Sequence, residues 1–381
     1  MNATVEILRH LVAVPSVNPA LADDDAIRNE RRLVDWLEPW FRDRGFATER
    51  VGATPGRPNL LARFGAGNPR RTILFESHLD TVGVAGFAGD PFELREKDGR
   101  LQGRGACDTK GPLAAFMAAL DADVLGALKA SAVQLLWLGA IGEETGNLGA
   151  EEAVAAGLRA DACVVLEPTD LHIVHAHKGA CWFTVATRGR AVHASDPARG
   201  DNAILKIPAV WREIEAAAQA AGEIHQSAVL GRPTVSLGTI RGGTATNVVP
   251  DRCEIQVDRR LMPGETAAAV LADLRVRLAD VPGGVELQLL KEGLPFHTPA
   301  EAGLARRLSA ALAAAGIAPV LEGAAWCSDA GPLAPVCGET LVWGPGSIAQ
   351  AHTVDEYIEA AALESGRDVL RRFLLDAARA G

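Results

Sequence analysis

His78 and Asp80 stand two residues apart in Ser77-His78-Leu79-Asp80-Thr81-Val82, just behind the expected short strand 72–76. In extended chain that spacing puts both side chains on one side. An imidazole so placed can ligate a metal while the carboxylate sets its orientation. Asp108 follows the glycine-rich turn Gly103-Arg104-Gly105-Ala106-Cys107. An aspartate there can cap a helix, or bridge two cations with one oxygen to each, and the glycines permit the tight backbone this needs. Glu143 and Glu144 are adjacent behind Leu136, Trp137 and Leu138. Neighbours on a loop point in different directions, so one can ligate while the other holds a water. Glu167 follows the apolar run 163–166 and precedes Pro168, and His352 follows Gly344-Pro345-Gly346.

Taken singly, each of these has a plainer reading: a surface turn, a helix cap, a solvated loop acid, a turn histidine. Taken together they coincide in place and type. Each segment starts where an expected strand ends, the edge at which open α/β sheets bind ligands. Carboxylates converging there are costly unless a cation or hydrogen bonds compensate them. His, Asp and Glu are also the residue types that zinc-like ions select. The set predicts a two-metal site.

Such a site needs rigid elements to hold it. Leu33, Trp36, Leu37, Trp40 and Phe41 recur at helical spacing within 26–44. Residues 58–64 and 72–76 read as short buried strands, and 108–128 as one helix with Leu113, Phe116, Met117 and Leu120 on one face. A strand at 132–138, a helix at 148–157 and a strand at 162–166 follow. Alternating strands and helices predict an α/β fold: an open, largely parallel sheet sandwiched by helices. Beyond about residue 177 the order changes to strand 180–188, a helix near 200–220, strands 233–241 and 251–259, helix 264–279 and strand 284–290. That is a βαββαβ, ferredoxin-like unit. Helix 300–315, strand 340–343 and helix 354–378 then resume the first pattern. The expected organisation is one domain built from 1–177 and 292–381, interrupted by a second over 178–291.

The chain has 381 residues, 48% of them hydrophobic and 23% charged, as in folded globular proteins. A net charge of −10 argues against a nucleic-acid groove, which needs a basic surface. No run approaches the roughly 18 apolar residues of a membrane span. Glu6, Arg9 and His10 interrupt any signal-peptide core in the opening stretch. A cytoplasmic protein with neither nucleic-acid nor membrane partners is expected. The six cysteines include no C-x-x-C pair, which argues against a disulfide framework, a zinc knuckle and a redox pair.

Other chemistries lack their motifs. Gly103–Asp108 begins like a dinucleotide fingerprint but ends in aspartate where glycine is required. Neither a phosphate-binding G-x-x-x-x-G-K-[ST] nor a G-x-S-x-G elbow occurs. Gly179-Ala180-Cys181-Trp182 matches part of the papain signature, but Lys178 stands in its first position and no histidine follows in the required window. Cys181 is expected to pack beneath the first strand of the inserted domain. His172, His175 and His177 also cluster, but strand alternation puts His172 on the face opposite the other two.

With these residues assembled, the chain resembles the di-zinc aminoacylase and metallopeptidase family of acetylornithine deacetylase, succinyl-diaminopimelate desuccinylase and carboxypeptidase G. The likeness covers almost the whole chain. It extends to Gly189-Arg190-Ala191-Val192-His193-Ala194-Ser195, to Gly242-Gly243-Thr244-Ala245-Thr246-Asn247-Val248-Val249-Pro250 and to Asp258-Arg259-Arg260-Leu261-Met262-Pro263-Gly264. The resemblance implies a zinc-peptidase-like sheet and two Zn²⁺ per subunit, with Co²⁺ able to substitute. His78 and Glu167 would hold one ion, Glu144 and His352 the other, and Asp108 would bridge them. Glu143 would be the general base and Asp80 the residue that orients the ligand. The peptide after Asp108 would be cis. The inserted domain would act as a lid and pair two subunits into a homodimer, with His193 reaching the neighbouring site to stabilise an oxyanion. Asn247 and Arg260 would grip the substrate carboxylate, with Arg259 the alternative to Arg260.

The implied reaction is hydrolysis of the amide bond of an N-acyl amino acid by metal-activated water. Gly344-Pro345-Gly346-Ser347-Ile348-Ala349-Gln350-Ala351-His352 and Ala176-His177-Lys178-Gly179 are most similar to the acetylornithine deacetylase branch. Cys327-Ser328-Asp329-Ala330 departs from the Thr-Glu of that branch. Asp329 is expected either to receive a substrate ammonium or to cap a helix. A dipeptidase or a glutamate-type carboxypeptidase of the same fold is the alternative. A non-catalytic metal-binding protein is disfavoured, because a pure binder needs no base at Glu143.

Overall fold

The structure, a computed structural model, describes residues 3–380. It divides into two units. One comprises the chain up to His175, Thr298–Glu322 and Ser328 onward; the other comprises Ala176–His297 and Gly323–Cys327. The smaller unit thus takes in more chain than the 178–291 expected. Phe296 and His297 pair antiparallel with His177 and Ala176, and the Lys178 N–H donates to the Ala324 carbonyl at 3.0 Å. Those bonds tie the flanking residues to the smaller unit.

In the larger unit, four parallel strands stand in the order Val133–Ala140, Arg71–His78, Ala160–Val165, Cys337–Val342. Asn59–Gly65 adds to Val133–Ala140 antiparallel, and Ala47–Val51 to Asn59–Gly65. Residues 73–78 and 135–140 are buried without interruption, so both faces of the sheet are covered by helices. Stacking of Phe41 on Trp137, with centroids 4.5 Å apart, and of Phe75 on Phe116 at 4.8 Å fills this core. Each such aromatic contributes about 1.5–3 kcal/mol by leaving water. The edge strand Ala47–Val51 escapes sequence reading because its residues, ATERV, alternate no apolar side chain and stay largely exposed.

Three helices differ from expectation. The first begins at Arg31, not near 26, because Asn29 turns left-handed at φ +87° and its Oδ1 takes the Arg31 N–H at 2.8 Å. The expected 108–128 helix is two, Lys110–Ala119 and Ala122–Lys129. Asp121 between them is extended and caps the second, accepting the Val124 N–H at 2.9 Å. The last helix runs Ala360–Ala380, because Tyr357–Glu359 instead pairs as a strand with Arg100–Gln102.

The smaller unit is a four-stranded antiparallel sheet in the order Val235–Gly242, Arg252–Leu261, Gly179–Arg188, Val285–Gly293. Helices Ile207–Ile224 and Ala267–Arg277 supply the two crossovers. Phe183, Val185, Val210, Ile214, Ile255, Val257, Leu271 and Leu274 form its core, and Cys181 is buried among them.

Candidate metal centre

Strand Arg71–His78 ends in His78, and the chain itself fixes the ring. Its Nδ1 lies 2.9 Å from the Asp80 carbonyl oxygen. A carbonyl only accepts, so in the neutral ring Nδ1 carries the proton and Nε2 presents a lone pair. Asp80 therefore orients His78 through its main chain, and its nearest carboxylate oxygen is 3.6 Å from Nδ1. The carboxylate has another task. Its Oδ1 accepts the Glu143 N–H and its Oδ2 the Glu144 N–H, both at 3.1 Å. Asn18 Nδ2 donates to the same Oδ2 at 2.7 Å. The turn opens at Gly142, whose φ of +71° suits a glycine and whose N–H donates to Glu30 Oε1 at 3.2 Å. Glu30 is itself fully buried and clamped by two bonds from Arg57.

Asp108 lies between strand Arg100–Gln102 and helix Lys110–Ala119, and its peptide bond to Thr109 is cis. Its two oxygens face different partners. Oδ1 is 2.9 Å from His78 Nε2, and Oδ2 is 3.4 Å from His352 Nε2. Glu167 Oε1 is 3.8 Å from the same His78 nitrogen, and Glu144 Oε2 is 2.9 Å from the same His352 nitrogen. Ligand atoms of His78, Asp108 and Glu144 all fall within 4.8 Å of one another. His78, Asp108, Glu144, Glu167 and His352 are thus brought to one place with Asp108 between two His–Glu pairs.

The electrostatics fit a cation. Burial pushes Glu143 and Glu167 well above the usual carboxylate range and Glu144 upward. Asp108 moves the other way: burial opposes its charge, but hydrogen bonds from His352 and His78 hold it below that range. Asp108 and Glu144 push His352 up to about 10. His78 is raised although burial opposes it, chiefly by its bond to Asp108. Glu144 Oε1 is buried without a hydrogen-bond partner. The His78 lone pair and Asp108 Oδ1 repel at 2.9 Å unless a proton or a cation mediates between them. An orphaned carboxylate oxygen, converging anions and imidazole nitrogens form a donor set suited to zinc-like divalent ions.

The remaining expected residues are placed as follows. His193 is exposed, its Nδ1 2.7 Å from Ser195 Oγ, and the Ala194 N–H donates to the Asn247 carbonyl at 2.9 Å. His193 and Asn247 therefore sit on adjoining loops of the smaller unit. Arg259 and Arg260 point to opposite faces of strand Arg252–Leu261, where burial alternates. Arg259 is buried and paired with Glu265 at 2.6 Å; Arg260 is partly exposed and lies 3.0 Å from Asp258. Asp329 corrects the capping expectation. It starts helix Ala330–Leu333 without a side-chain cap, and it is fully buried, its Oδ1 accepting from Asn147 at 2.9 Å.

Burial pushes the Cys181 thiol up to about 12, the reverse of an activated nucleophile. His172 lies before the strand beside Glu322 at 3.2 Å, while His175 and His177 are buried with Nδ1 on the carbonyls of Thr298 and Lys178. Sequence reading missed Asn18, Glu30, Asn147 and Glu356, each of which holds the backbone or side chains of the cluster. Only Asn147 carries a local signal: it stands between Gly146 and Gly149, where a turn is expected.

The chain matches peptidase family M20/M25/M40 over residues 74–376. It is 34% identical over 379 residues to acetylornithine deacetylase of Erwinia tasmaniensis, covering 96% of this chain and 95% of that one. Its fold is that of the M20 family metallo-carboxypeptidase Sso-CP2 from Sulfolobus solfataricus, with a TM-score of 0.80 at 17% identity, covering 98% and 99% of the two chains. The Bacillus subtilis YXEP protein, a dinuclear metal binding peptidase, superposes with a TM-score of 0.71 at 13% identity over 99% and 98%. The chain belongs to peptidase family M20/M25/M40. It is accordingly a metal-dependent hydrolase of C–N amide bonds.

Proposed function

We propose that this protein is a di-zinc amidohydrolase that removes the acyl group of an N-acyl amino acid, as acetylornithine deacetylase does. The observation that carries this reading is Asp108, whose oxygens face His78 with Glu167 on one side and His352 with Glu144 on the other. These two pairs would each hold one ion, with Asp108 shared; Co²⁺ would fit the same donors. When bound, two Zn²⁺ ions supply the Lewis acidity that brings the pKa of water toward neutrality.

The chain's own groups do the rest. Glu143 is held by Asn147 rather than by an imidazole, which leaves it free to accept a proton. It takes the proton of the attacking water and returns it to the leaving amine. His193, exposed on the smaller unit of a second copy, donates to the oxyanion as it forms. The active form in this reading is a cytoplasmic homodimer joined through the smaller unit, which serves as a lid. Asn247 and Arg260 take the substrate carboxylate. Arg260 is preferred to Arg259 because Arg259 is already committed to Glu265.

The 34% identity over nearly the full length supports a deacylase, whereas the peptidases of similar structure support only the fold. The test is a panel of N-acetyl amino acids, N-acetylornithine among them, set against dipeptides on zinc-loaded protein. Higher kcat/KM on N-acetyl amino acids is expected. Preference for dipeptides would replace this reading with the dipeptidase one, and turnover of neither class would sink both.

A further inference from the structure

Asn147 closes the short turn Glu143–Gly146 in the left-handed conformation, at φ +61°, and is buried. Glycine is the usual tenant of such a position. Asparagine tolerates it and adds an amide. Its Nδ2 has two N–H groups. Asp329 Oδ1 lies 2.9 Å from this nitrogen, and Glu143 Oε1 lies 3.4 Å from it. Asp329 is in turn enclosed: it is wholly buried, and its Oδ1 takes the amide at an ordinary hydrogen-bond distance. The amide is therefore anchored on one side and holds a glutamate oxygen on the other.

A glutamate side chain has three rotatable bonds, and Glu143 is only partly buried. Asp80 fixes its main chain but touches none of its carboxylate. What restrains the carboxylate is the Asn147 amide, which occupies Oε1 and leaves Oε2 for proton transfer. We propose that Asn147 is a positioning residue for the hydrolysis, aiming the Glu143 carboxylate, and that Asp329 is the anchor that keeps the Asn147 amide in place. The proposal rests on the reading of Glu143 as general base.

Asn147→Gly removes the amide and keeps the left-handed backbone. Misplacing a catalytic group by about 1 Å costs up to about a hundredfold. The variant, assayed on the best substrate of the N-acetyl amino acid panel, should lose about ten- to a hundredfold in kcat. Its KM and its bound metal, measured by elemental analysis, should match the parent. Asp329→Ala should lower kcat similarly. The double variant should be no worse than the poorer single one, because both changes act through one hydrogen bond. Parent-like kcat in Asn147→Gly while Glu143→Ala is inactive overturns the proposal and leaves the general base standing. Loss of metal in step with kcat overturns it too, by showing a role in the metal site instead. Normal turnover by Glu143→Ala removes the underlying reading itself. If Asp329→Ala fails to fold, the kcat and KM of Asn147→Gly decide alone.

Discussion

Glu356 Oε1 accepts the backbone N–H of Asp108 at 3.0 Å, across 248 positions of chain. The same carboxylate accepts the Gly105 and Cys107 N–H groups, both at 2.9 Å, and Arg104 Nη1 at 2.8 Å. Glu356 and Arg104 are both buried. The turn that carries Asp108 is therefore folded around an anion supplied from just before the last helix. Converging N–H groups form a concavity that a carboxylate satisfies, and Arg104 balances its charge.

Glu356→Ala leaves Arg104 buried without a counter-charge and three N–H groups without an acceptor. Breaking a buried pair from one side costs about 3–5 kcal/mol. Urea unfolding should show a loss of that order, and elemental analysis should show less bound metal because Asp108 is no longer held. A variant with parental stability and full metal content would mean that the turn is held by other bonds.

Metal removal should cost stability as well as activity, because Asp108, Glu144 and Glu167 then converge with only His78 and His352 to offset their charge. Dialysis against a chelator should abolish turnover and lower Tm, and Zn²⁺ or Co²⁺ should restore both. At free metal about a hundredfold above Kd the gain is about 2.7 kcal/mol. Full turnover in protein shown to be metal-free would end the two-metal reading.

Arg259 and Arg260 should separate cleanly. Arg260→Ala removes a partly exposed cation, so stability should hold while KM for a carboxylate substrate rises about tenfold or more, as for a lost charged hydrogen bond. Arg259→Ala leaves Glu265 buried alone, so its main effect should be a lower Tm. Kinetics and thermal melts on both variants decide, and the opposite pattern would move the substrate contact to Arg259.

Asp121 gives a pH dependence remote from the metal cluster. Burial works against its charge, but the Val124 N–H and Arg371 hold its pKa below the ordinary 3.8. In that range the folded chain binds fewer protons than the unfolded one. The contribution is therefore complete above the unfolded pKa and is lost as pH falls through the folded one. Asp121→Asn keeps the cap without the charge. The stability gap between parent and variant, from urea midpoints, should be constant above about pH 5 and close below it. A gap that does not vary with pH would show that the Arg371 pair contributes nothing.

Much of the cluster is legible locally. Glu143, Glu144 and Glu167 each follow an apolar run, His78 follows one at a remove of Glu76 and Ser77, and burial of those runs on both faces is a pattern of period one that needs no knowledge of the fold. The polar residue that ends such a run stands at the sheet edge. The helix breaks are less legible. Asn29 and Asp121 fit a helical pattern by their neighbours and depart from it through their own backbone and side-chain bonds.

The sequence by itself determined which residue types end the strands, and with them an α/β fold and a metal-binding chemistry. Tertiary structure alone decided how those ends are held. That the Asp80 carboxylate serves the Glu143–Glu144 backbone while its carbonyl serves His78 depends on neighbouring parallel strands stopping at the same level. That Glu356 braces Asp108 and Asp329 anchors Asn147 depends on which strands and helices lie side by side. That Arg259 is buried with Glu265 while Arg260 is partly exposed depends on which face of the strand is covered. Hydrogen bonds act over about 3 Å between residues far apart in sequence. Sheet order sets those distances, and no local period encodes it.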